Sequence, residues 1–96
     1  PDRTKRREQA AERLIKRSFS LAGHRTSVAL EEEFWTALLR IASARSQSLS
    51  ALVAAVDADR TPGRPLASAL RVAALLEAER GAAAEAATNE RGQINQ

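Results

Sequence analysis

Residues 24–59 read HRTSVALEEEFWTALLRIASARSQSLSALVAAVDAD, and the spacing of apolar residues changes once within them, at Glu31. Before that point the side chains alternate. Thr26, Val28 and Leu30 fall on one face and Arg25, Ser27 and Ala29 on the other, which is the period of a β-strand. After it, Phe34, Leu38 and Ile41 recur at helical spacing, with Trp35, Leu39 and Ala42 in a second row beside them. This pattern predicts a helix from about Glu32 to Arg45. Glu31, Glu32 and Glu33 lie where its dipole favours negative charge, and Arg45 lies at the end that favours positive charge. Ser46-Gln47-Ser48 interrupts the stripe, and Ser48 is suited to cap a second helix running from Leu49 to about Asp59. Its apolar row is Leu49, Leu52, Val53 and Val56. Two helices joined this closely form an αα-hairpin whose apolar faces must close over something. A single strand this short is not stable alone, so a second chain is expected to pair with it.

The chain has 96 residues, which bounds it to one small domain with tails, and dimerisation is the expected source of the missing core. Cysteine is absent, which excludes disulfides and thiolate metal sites, and a lone His24 excludes a histidine-based metal cluster within one chain. No apolar run approaches the ~18 residues of a membrane span, and the first residues are charged, unlike a signal peptide. A soluble cytoplasmic protein is expected. The net charge is only +3, but it is unevenly spread. Residues 1–30 carry eight basic side chains (Arg3, Lys5, Arg6, Arg7, Arg13, Lys16, Arg17, Arg25) against three acidic ones (Asp2, Glu8, Glu12). The remainder is slightly acidic.

Residues 1–17 form a basic arm rich in helix formers but with only a thin apolar row. It reads either as a solvated helix or as an arm ordered by phosphates. Residues 18–24 alternate as well, with Phe19 and Leu21 odd-numbered where Val28 and Leu30 are even. One continuous strand cannot bury both sets on one face, so the parity must shift near Gly23. Two solutions remain open: a hairpin in which 18–21 fold back on 25–30, or a longer ribbon with a bulge. With 18–24 included, the core spans 18–59. Residues 60–80 supply a Pro- and Gly-containing loop and a third helix from Leu66 to about Arg80, which Pro65 suits at its start and Gly81 at its end. Residues 81–96 have no large apolar side chain except Ile94 and read as a flexible tail.

The alternating strand, the Phe34-Trp35 pair, the Leu38/Ile41-Ala42 spacing and Ser48-Leu49-Ser50 together resemble the ribbon-helix-helix family of DNA-binding domains. Gly23-His24-Arg25-Thr26-Ser27 and Ser68-Ala69-Leu70-Arg71 are similar to one subgroup that carries an extra C-terminal helix. The resemblance implies a mainly α fold with one short β-strand per chain. Two such strands would pair antiparallel between the chains of a homodimer, and that ribbon would enter the major groove. Its base readers would be Arg25, Ser27 and Ala29. Arg25 is equipped for bidentate contact with guanine, and Ser27 can donate or accept. Ala29 departs from the polar residue usual there; it offers a thymine-methyl contact, or marks a ribbon of weak sequence preference or none.

Lys16, Arg17, His24, Ser48, Leu49 and Ser50 are the phosphate-contact candidates, the last three because a helix N-terminus binds anions as readily as it accepts a capping side chain. The dimer core is expected to comprise Val28, Leu30, Phe34, Trp35, Leu38, Ile41, Leu52, Val53 and Val56. Trp35 would place its indole N–H at the rim. No nucleophile–base pair, phosphate loop or metal spacing is found, so neither catalysis nor a cofactor is expected. The function implied is a transcriptional regulator whose partner is double-stranded DNA, bound as a dimer or a dimer of dimers. The rivals are an antitoxin whose tail folds on a protein toxin, and an interaction dimer that has lost DNA binding.

Overall fold

The structure, a computed structural model, describes residues 13–94, with side chains through residue 87. The expected basic arm lies outside the described residues as far as residue 12. The described elements are β1 (Ile15–Leu21), β2 (His24–Leu30), α1 (Glu32–Ala44), α2 (Leu49–Asp59) and α3 (Leu66–Ile94).

The antiparallel ribbon is present, but both of its strands belong to one chain. β1 pairs with β2 in a register that sets Ile15 opposite Leu30, Ser18 opposite Ser27 and Leu21 opposite His24. The expectation of one short strand is therefore corrected to two, and the strand finds its partner nine residues upstream instead of in a second molecule. The parity problem is solved by the hairpin. In this register each odd residue of β1 faces the same way as an even residue of β2, so Phe19, Leu21, Val28 and Leu30 are all buried on one side. The turn is two residues long. Ala22 at φ 50° and Gly23 at φ 83° give the two consecutive positive φ values of the tight hairpin turn that matches strand twist.

The helices begin and end where local chemistry dictates. The carbonyl of Glu31 accepts from the N–H groups of Phe34 (3.0 Å) and Trp35 (3.2 Å), opening α1 with Glu32 and Glu33 in its first turn. At the other end Ser46 turns left-handed (φ 55°), and the Gln47 N–H donates to Ala42 O at 2.9 Å while the Ser46 N–H donates to Ser43 O at 3.0 Å. This is a Schellman closure built without glycine. The Ser48 hydroxyl accepts from the Ala51 N–H at 3.0 Å and so caps α2. Between α2 and α3, Arg60 bonds the Asp57 carboxylate at 3.0 Å and the Arg64 carbonyl at 2.7 Å, which fixes the loop.

α3 is longer than its sequence pattern predicts. The helix does not stop at Gly81 but runs to Ile94, so the segment expected as a tail from residue 81 is helical through that residue. Five alanines among residues 82–87 supply the strongest helix propensity available, against a cost of about 1 kcal/mol for an interior glycine.

One chain closes its own core. Leu30, Leu38, Val53 and Leu70 are fully buried and Trp35 nearly so, with Phe19, Leu21, Val28, Ala42, Leu52 and Ala74 around them. The residues expected in a dimer core are thus satisfied within the chain: Val28, Leu30, Trp35, Leu38, Leu52 and Val53 are buried, and Phe34, Ile41 and Val56 pack half-buried against them. Two further contributors join the residues named for the core. β1 adds Phe19 and Leu21, and α3 adds Leu70 and Ala74, so the third helix is part of the core. The Arg71 guanidinium grips the Glu31 carboxylate with two bonds of 3.0 and 3.1 Å, tying α3 to the corner between β2 and α1.

Candidate nucleic-acid interface

Because one side of the hairpin is committed to the core, the other is fixed by the pleat. Lys16, Ser18 and Ser20 of β1 and Arg25, Ser27 and Ala29 of β2 share that outer side. All are exposed except Ala29, which is half-buried. At its centre the Ser18 and Ser27 hydroxyls meet at 2.9 Å across the two strands. One hydroxyl proton is used in that contact, leaving one free donor and oxygen lone pairs on both residues for a ligand. The described hairpin region, residues 13–30, holds Arg13, Lys16, Arg17 and Arg25 and no carboxylate.

The three base-reading candidates therefore stand together on one exposed face, Arg25, Ser27 and Ala29 in line along β2. The phosphate candidates are scattered. Lys16 stands on that face, opposite Ala29. Arg17 does not: it is on the core-facing side, with its guanidinium 5.5 Å from the centre of the Trp35 ring, a cation–π contact. His24 lies on the same side as Arg17, exposed beside the turn. Ser48 gives its side chain to the α2 cap, Leu49 packs against the core, and Ser50 is exposed. The backbone N–H groups of Leu49 and Ser50 lie in the first turn of α2, where no intrahelical acceptor is available to them.

Trp35 holds the hairpin to the helices. Its indole N–H donates to the Ile15 carbonyl at 2.7 Å, and its ring lies 5.9 Å from that of Phe19. The indole N–H, expected at the rim of a dimer core, is instead bonded to β1 of the same chain. Sequence reasoning missed Ser18 and Ser20 as members of the outer face. Their alternation with Phe19 and Leu21 was the available signal; the pairing register was not.

A sequence model of the family described as the ribbon-helix-helix domain matches residues 14–78. The chain belongs to the ribbon-helix-helix family. The match takes in both strands, α1, α2 and the part of α3 that reaches the core. Ribbon-helix-helix proteins are in general DNA-binding regulators, and they generally dimerise. No curated protein and no solved structure matches this chain. Among the described residues, no helix is long and apolar enough to cross a membrane.

Proposed function

We propose that this ribbon-helix-helix protein is a transcriptional regulator that inserts its β-ribbon into the major groove of DNA, with Arg25, Ser27 and Ala29 facing the bases. The observation that carries this reading is the outer face of the hairpin, polar and basic in a segment free of carboxylates. A two-stranded ribbon is one of the two elements the major groove admits. Arg25 offers guanine a bidentate contact worth ~1–3 kcal/mol of discrimination, and the first turn of α2 offers a phosphate its free N–H groups. The protein acts as a binder and not as an enzyme, on duplex DNA in the cytoplasm.

A second copy is proposed to seat on α3. Val72, Leu75 and Leu76 remain 37%, 54% and 53% exposed after the core is closed, an apolar row that the other described residues leave open. The antitoxin reading gains no support: residues 81–87 are all exposed and contain only alanine as apolar anchors.

Titration of the protein with mixed genomic duplex at increasing salt tests the DNA reading. Affinity is expected to fall linearly on logarithmic axes, and Arg25→Ala to weaken binding and relax sequence preference. Absence of binding to that duplex at low salt overturns it. Light scattering of Leu75→Glu/Leu76→Glu tests the dimer: a folded monomer is expected where the wild type is a dimer.

A further inference from the structure

The two strands of the hairpin resemble each other at five of seven positions, Ile15/His24 and Arg17/Thr26 being the exceptions. β1 reads IKRSFSL and β2 reads HRTSVAL. Nine residues apart, Lys16 matches Arg25, Ser18 matches Ser27, Ser20 matches Ala29, Phe19 matches Val28 and Leu21 matches Leu30. The pairing register converts this repeat into symmetry. With Ser18 opposite Ser27, a two-fold axis through their 2.9 Å contact exchanges each β1 residue with its β2 match. Lys16 and Arg25 then occupy equivalent places at opposite ends of the outer face, and Ser20 and Ala29 occupy the other equivalent pair.

We propose that one chain forms a complete, pseudo-two-fold reading ribbon, in which Lys16, Ser18 and Ser20 read base edges as the counterparts of Arg25, Ser27 and Ala29. The sequence read beneath one ribbon is accordingly an imperfect palindrome. This rests on the DNA-binding reading above and adds the second strand of readers to it. The dimensions agree. Two strands span ~5 Å between axes, whereas edge-to-edge addition of a second hairpin makes four strands spanning ~14 Å, wider than the ~12 Å major groove. The ribbon that fits is the one the chain already contains.

The departures from symmetry specify how the two half-elements differ. Arg25 presents a planar fork to the guanine O6 and N7 atoms, and Lys16 a single ammonium, so the guanine preference is stronger in the half read by β2. Ser20 can hydrogen-bond where Ala29 can only contact a methyl group. The other half is therefore the more polar at its inner position.

Selection of bound duplexes from a random library, with wild type and single variants, tests this. The wild type is expected to enrich an imperfect palindrome. Lys16→Ala should flatten one half and Arg25→Ala the other, each by roughly 5- to 150-fold in preference. Lys16→Arg should make the two halves more alike. A motif altered by Arg25→Ala but unchanged by Lys16→Ala, Ser18→Ala and Ser20→Ala overturns the proposal while leaving DNA binding intact. A wild type that enriches nothing and binds no duplex ends both. The chain has no cysteine, so oxidised S18C/S27C reports the ribbon's origin directly. A covalent monomer on a non-reducing gel is expected, and a covalent dimer overturns the single-chain ribbon.

Discussion

Two residues carry backbone geometry that their side chains do not favour. Ser46 ends α1 at φ 55°, and Ala22 enters the hairpin turn at φ 50°, where a Cβ crowds the following carbonyl. Gly23, the other turn residue, has no such conflict. Ser46→Gly is therefore expected to stabilise the fold by about 1 kcal/mol, read as a higher urea midpoint with an unchanged slope. The Schellman bonds at 2.9 and 3.0 Å involve only backbone and survive the change. Glu31 has its titration shifted by its surroundings. Its carboxyl is held below the ordinary value of 4.5, first by a backbone hydrogen bond and then by the Arg71 guanidinium. A pKa depressed in the folded state gives stability that is present above the unfolded value and lost as pH falls through the folded one. Urea midpoints should thus decline below about pH 4.5 in wild type, and decline less in Glu31→Gln.

At the scale of elements, one ring of α1 gathers several contacts to the hairpin, beside the packing of β1 and β2 on α2 and α3. Trp35 of α1 bonds the Ile15 carbonyl, packs on Phe19 and carries Arg17 above it, so three β1 residues depend on it. Trp35→Phe removes the N–H and part of the packing while keeping an aromatic face. A loss of roughly 1–3 kcal/mol is expected, from the missing hydrogen bond together with the reduced packing. Hydrogen exchange should quicken in residues 15–21 more than in α2; equal change in both would contradict the clasp. The Trp was legible as a core residue, but not the hydrogen bond that its indole N–H makes. That bond was hidden because residues 15–17 read as the end of a basic arm when their pairing with 28–30 is unknown.

At the scale of the molecule, the fold is a core of hairpin, α1, α2 and the first part of α3, with the rest of α3 extending from it. Residues 78–87 are exposed throughout. Ending the chain after Arg80 should therefore leave the unfolding free energy within about 0.5 kcal/mol of the full chain, read from urea titrations, while circular dichroism loses helical signal. The sequence by itself determined the periods, and hence α1, α2, the β2 strand, the Ser48 cap and the need for a parity shift near Gly23. These are local properties, set by side-chain spacing along one element. It also held the nine-residue repeat, although repetition alone does not say what pairs with what. Only the tertiary structure decided that β1 and β2 belong to one ribbon, that Leu70 completes the core, and that Arg17 lies over Trp35 while Ser18 and Ser20 stand on the outer face. Register, closure and facing depend on contacts between residues distant in sequence, and a hairpin turn or a second chain can satisfy the same alternating pattern. The unit of pairing expected between two molecules is formed within one, because Gly23 lets the chain reverse and a matching strand is waiting on the other side of it.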